Sequence, residues 1–147
     1  MTSDARLTGA VLLCALLVGV SGCGAKQQFA PVSGVVKLDG VPTAGLVVEF
    51  LPDPDTGTHG PRSSGTTDAE GRFHLVCDTQ QDGAVVGSHR VLVQDTRSFP
   101  PPRGREGKAA AIPPSRVPER YRKATDTPLR QDVKAEPQTI TLEVSSK

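Results

Sequence analysis

The chain has 147 residues, with 17 Lys and Arg against 16 Asp and Glu, a formal net charge of +1, no Trp, 1 Tyr, 4 Phe and 3 Cys. With so few aromatic residues, a core has to come from Val, Leu and Ile, which favour strands, and the length suits one domain rather than two. Three cysteines also exclude a disulfide-stapled fold, because Cys14 and Cys23 fall in or at the end of an N-terminal targeting segment and leave Cys77 without a partner.

Met1 to Arg6 is a short polar head, and Leu7 to Val20 is an almost unbroken apolar run. Val20-Ser21-Gly22-Cys23 then closes the run with small residues and a cysteine, the pattern of a bacterial lipobox. The run is short of the roughly 20 apolar residues that span a bilayer, and Lys26, Gln27 and Gln28 follow closely, so residues 1–22 read as a signal peptide. Cleavage before Cys23 makes it the first residue of the mature chain and the site of lipidation, with palmitate among the acyl groups expected there. Two or more acyl chains anchor stably where one binds reversibly. Gly24 stands where an aspartate would retain a lipoprotein at the inner membrane, which favours the outer membrane of the cell envelope, facing the periplasm or the surface.

Residues 23–30 read as a tether, and residues 31–147 as the domain. Val32, Gly34, Val36 and Leu38 alternate with Ser33, Val35 and Lys37, the pattern of a half-buried strand, and Asp39-Gly40 is a two-residue hairpin turn. Leu46, Val48 and Phe50 form the inner set of a second strand that Pro52 ends. Residues 53–64 read as a loop, Gly71 as a turn residue at positive φ, and Phe73, Leu75 and Cys77 as one inward face with His74 and Val76 outward. Asp82-Gly83 turns the chain again. His89, Val91 and Val93 face inward on a strand over residues 88–94, and Ile140, Leu142 and Val144 alternate with Thr139, Thr141 and Glu143 on the last strand.

Residues 95–137 read as one long loop punctuated by eight prolines, of a length usually tied to function or disorder. From Arg97 to Arg130 nine Lys and Arg face three Asp and Glu, whereas the rest of the chain after residue 22 carries seven against twelve. Arg97, Arg103, Arg105, Lys108 and Arg116 are therefore the candidate contacts for an anionic polymer such as an acidic polysaccharide. Without aromatic stacking platforms, specific nucleic-acid binding is not expected. Val117, Pro118, Tyr121, Pro128 and Leu129 are apolar anchors that close one end of the domain.

These elements predict an all-β fold, an antiparallel two-sheet β-sandwich of transthyretin-like or immunoglobulin-like type. Several motifs occur in order: Pro31-Val32-Ser33-Gly34, Leu38-Asp39-Gly40-x-Pro42, Ala44-Gly45-x-x-Val48-x-Phe50-x-Pro52, Thr67-Asp68-Ala69-Glu70-Gly71-Arg72-Phe73, Asp82-Gly83-Ala84-x-x-Gly87-x-His89-x-Val91, Val117-Pro118-x-x-Tyr121 and Thr127-Pro128-Leu129. In this order and spacing the chain resembles bacterial lipoproteins made of one carboxypeptidase regulatory-like domain. The resemblance implies a non-catalytic module at a membrane. The segment from Arg97 to Arg116 is longer and more basic than the usual connection, so no role is carried over to it.

Catalysis and cofactors find little support. The chain lacks the C-terminal Tyr-Arg-Gly-Ser motif of the transthyretin-like hydrolases, and its single Tyr excludes the two-tyrosine iron site of the intradiol dioxygenases. His59, His74 and His89 are too widely spaced for a local metal motif, and no cofactor or metal is expected. Asp53, Asp55 and Thr56, or Asp68 and Glu70, read as turns before they read as calcium ligands. The expected function is that of a structural or interaction module, with membrane contact through Cys23 and an envelope protein or acidic polysaccharide as partner. Polyanion or carbohydrate binding through residues 97–130 is the alternative, and a hydrolase on a transthyretin-like scaffold a third.

Overall fold

A computed structural model describes residues 26–100 and 111–147. The expected signal peptide, Cys23, Arg103, Arg105 and Lys108 lie outside these residues. Eleven strands follow in order: β1 (Phe29–Ala30), β2 (Val32–Leu38), β3 (Val41–Pro42), β4 (Leu46–Pro52), β5 (Ser63–Thr66), β6 (Arg72–His74), β7 (Val76–Cys77), β8 (Ala84–Val85), β9 (Gly87–Asp95), β10 (Arg130–Val133) and β11 (Gln138–Val144). The fold is all-β, with only short 3-10 turns between strands, and no described helix is long and apolar enough to cross a membrane.

One large sheet runs β10-β9-β4-β5-β7, the other runs β11-β2-β3 with β6 also on β2, and β1 pairs with β8 in a separate two-stranded sheet. The period-two residues of both sheets meet between them. Val32 and Val36 from β2, Leu46, Val48 and Phe50 from β4, Val91 and Val93 from β9, and Leu142 and Val144 from β11 form one buried cluster with Phe73 and Leu75. Burying an aliphatic side chain of this size contributes about 1.5–3 kcal/mol, so this face accounts for the strand assignments.

The hairpin between β2 and β3 turns at Asp39 and Gly40, whose φ values of 52° and 83° are the left-handed pair that a two-residue connection requires. Gly34 serves a different purpose. A Cβ there would lie 2.3 Å from the Ile140 carbonyl oxygen and 2.8 Å from the Phe73 ring, so only glycine lets β11 and Phe73 approach β2 this closely.

The expectation of one loop over residues 95–137 is corrected by β10, which pairs with β9 from Arg130↔Arg90 to Val133↔Gly87. This strand reverses the chain before it crosses to the other sheet. As a result β11 runs parallel to β2, from Gln138↔Val32 to Val144↔Leu38, while the other strand pairs are antiparallel.

The strand directions define two ends. At one end lie Gln28, whose carbonyl accepts from the Val86 amide, Thr58, which holds the Ser88 amide, and Pro31, which accepts from Gln138. At the other end lie the Asp39-Gly40 turn, Gly45, Asp95 and the chain terminus, with Asp39 Oδ1 accepting from the Ser146 amide. The first described residues, before β1, therefore enter at one end and the basic segment leaves from the opposite one.

Candidate functional site

The basic segment springs from a buried carboxylate. Asp95 ends β9 on the inner face, in phase with Val91 and Val93, and has no solvent exposure. Its Oδ2 accepts from Arg116 Nε at 2.8 Å and from the Arg116 amide at 3.0 Å, while Oδ1 accepts from Arg116 Nη2 at 2.9 Å. Arg97 adds its amide to Oδ1 and its guanidinium to Oδ2. Arg116 Nη2 also donates to the Ala44 carbonyl, which ties the clasp to the loop before β4. These donors hold the Asp95 carboxyl well below the usual carboxylate range, against the opposing effect of burial.

One carboxylate thus gathers Arg97, before the segment 101–110, and Arg116, after it. Asp95 also caps the 3-10 turn Thr96–Ser98, and the Ser98 hydroxyl donates to the Asp95 carbonyl. Of the five proposed polyanion contacts, the two described ones hold the base of the segment.

Three of the other cations counted between residues 97 and 130, Lys123, Arg120 and Arg130, also have neighbours. Lys123 Nζ lies 2.7 Å from Glu119, and Arg120 covers the Tyr121 ring at 4.7 Å and donates to the Ser145 carbonyl. Arg130 lies 3.9 Å from Asp53. Of the five expected apolar anchors, Val117 and Tyr121 are buried in the core cluster and Leu129 packs against it, whereas Pro118 is only partly buried and Pro128 is exposed. Tyr121 Oη accepts from the Ser145 amide.

The histidines are dispersed. His89 is fully buried on β9 with its ring against Phe50, centroids 5.6 Å apart; Nδ1 lies 3.0 Å from the Gly87 carbonyl, and Nε2 has no hydrogen-bond partner. Burial pushes its pKa down, outweighing the Gly87 carbonyl and the Asp132 carboxylate. His74 lies on the outer face of β6, with Nε2 3.6 Å from Asp82, and the His59 carbonyl accepts from Gln27.

Among the described residues, Ser33, His74 and Asp82 form an arrangement that invites comparison with a catalytic triad, since Ser33 faces His74 across β2 and β6. The Ser33 hydroxyl pairs instead with Thr139 Oγ1 at 3.4 Å, and no hydrogen bond joins it to His74. A serine nucleophile needs a base within hydrogen-bond reach, and this serine has none.

Asp53 caps a 3-10 turn by accepting from the Asp55 amide, and it pairs with Arg90 at 2.8 Å. Arg90 lowers the Asp53 pKa. Asp68 Oδ1 accepts from the Glu70 and Arg72 amides. Both acidic pairs therefore act as turn residues. No group of three or more metal-binding side chains converges among the described residues.

Two adjoining depressions form a shallow groove on the outer face of β11, β2 and β6, sharing Ser33, His74 and Thr139. No family model, curated protein or solved structure matches the chain.

Proposed function

We propose that the chain is a lipid-anchored, non-catalytic module of a bacterial cell envelope, built as a carboxypeptidase regulatory-like β-sandwich, tethered through Cys23 and acting by interaction. The use of its buried polar side chains supports the non-catalytic reading. Thr58 holds the Ser88 amide, Thr67 bridges the Leu46 amide and the Thr43 carbonyl, Thr127 donates to the Val91 carbonyl, and Asp95 holds the base of the basic segment. Each of these four binds the domain's own backbone, while the buried Ser63 Oγ and His89 Nε2 have no partner among the described residues.

The anchor also has a geometric fit. Five residues, Gly24 to Gln28, separate Cys23 from the first strand residue, Phe29. At about 3.5 Å per residue this tether reaches roughly 20 Å, which holds the Gln28–Thr58 end of the sandwich against the bilayer and directs the Asp95 end away from it. Polyanion binding gains no support from Arg97 and Arg116, whose guanidiniums already face Asp95.

Growth with labelled palmitate tests the proposal. The wild-type chain should carry label and sediment with membranes, and Cys23→Ser should lose the label and move to the soluble fraction. A Cys23→Ser chain that stays on the membrane to the wild-type extent overturns the anchor.

A further inference from the structure

We propose that the outer edge of β11 is a pairing site for a second copy of this chain, with the two β11 strands antiparallel about a two-fold axis through Thr141. The ladder to β2 fixes which groups of β11 face outward. The Gln138 amide donates to the Pro31 carbonyl at one end, and the Val144 carbonyl accepts from the Asp39 amide at the other. With the register Gln138↔Val32 to Val144↔Leu38, Gln138, Ile140, Leu142 and Val144 turn their backbone groups to β2. Thr139, Thr141 and Glu143 turn theirs the other way, where no group of the described residues pairs with them.

An uncovered edge of 7 residues is long for a sandwich of this size. The edges of the other sheet are shorter, at 4 residues in β10 and 2 in β7. Gln138–Val144 contains no proline and a single charge, Glu143, so the usual devices that stop strand addition are nearly absent.

A second copy fits this edge in register and in charge. In an antiparallel pair, closely bonded residues have to be outward-facing on both strands. An axis at Thr141 sets Thr141 opposite its counterpart and Thr139 opposite Glu143 in both halves, giving three bonded residue pairs. No like charges meet, because each Glu143 faces a threonine and already lies 3.5 Å from Lys37 of its own β2. On the inner face, Ile140, which is only partly buried, falls opposite the Leu142 of the other copy and extends the apolar strip across the junction. The dimer would join two β11-β2-β3 sheets into one continuous sheet, an isologous contact of the closed kind.

This inference names a partner for the interaction module proposed above and rests on that reading, while the edge geometry is independent of the anchor. The test uses the full-length chain in its own membranes, with Thr141→Cys and a short thiol-to-thiol crosslinker. Val41→Cys is the control, since Val41 is 64% exposed on β3 and away from the edge. Thr141→Cys should give a band of twice the monomer mass, at least tenfold above Val41→Cys. Adding Thr141→Pro to wild type should abolish dimer detected by sedimentation in mild detergent; the Thr141 amide makes no bond among the described residues, so thermal unfolding should remain cooperative. Equal crosslinking of Thr141→Cys and Val41→Cys overturns the proposal. A Thr141→Cys adduct of another mass also overturns it and leaves the interaction module standing, since the edge then belongs to a different protein.

Discussion

Asp95 and His89 share the inner face of one strand, and burial acts on them through opposite chemistry. Asp95 is charged and surrounded by donors, so removing its main partner leaves a buried carboxylate undersupplied. Arg116→Ala should cost about 3 kcal/mol in urea unfolding, the lower end for breaking a buried ion pair because Arg97 remains. Arg97→Ala should cost less than about 1 kcal/mol, since its side chain is 49% exposed. The Asp95 contribution is complete above the ordinary carboxyl value of 3.8 and disappears as pH falls through its lower folded value. His89 follows a different course. Its folded pKa lies below the ordinary 6.5, so the unfolded chain binds the proton first and stability should decline as pH falls below about 6.5. Asp132 offsets part of that decline. Unfolding midpoints between pH 7.5 and 5 should show a slope in wild type and a flatter line in His89→Leu. An unchanged slope would assign the effect to another group.

At the scale of strands, the most constrained contact is the approach of β11 to β2 over Gly34. Gly34→Ala should destabilise by about 2–3 kcal/mol, the upper range for overpacking, because both obstacles are a backbone carbonyl and a buried ring. A midpoint within experimental error of wild type would mean that β11 can shift on β2. The long strands were legible in the sequence because one face of each is apolar at period two, as in Leu46-x-Val48-x-Phe50 and Ile140-x-Leu142-x-Val144. β10 was not. Arg130-Gln131-Asp132-Val133 offers only Val133 to the core, so its strand character comes from pairing with β9 and leaves no alternation to read. The parallel placement of β11 was hidden for the same reason, since it depends on the reversal that β10 makes. The Asp95 clasp left a fainter sign: an acid in phase with Val91 and Val93 and an arginine two residues later. Arg116 joins from 21 positions away, a pairing that local sequence does not specify. It turned two expected ligand contacts into structural ones.

For the whole molecule, the two ends of the sandwich are built differently. Gln28 and Thr58 lie at one end, and both ends of the basic segment are clasped at the far end by a single carboxylate. Because that clasp lies outside residues 101–110, it survives a change in the segment's length, and a doubling of loop length costs about 0.6 kcal/mol in closure entropy. Replacing residues 101–110 with four Gly-Ser residues should shift unfolding by less than about 1 kcal/mol, measured by urea denaturation; a larger loss would show that those residues support the sandwich. The same clasp makes this position interchangeable. A foreign epitope or a binding peptide spliced between Phe99 and Ile112 would inherit a base closed by the Asp95 carboxylate, so the domain can serve as a display platform whose cargo varies while its architecture stays constant.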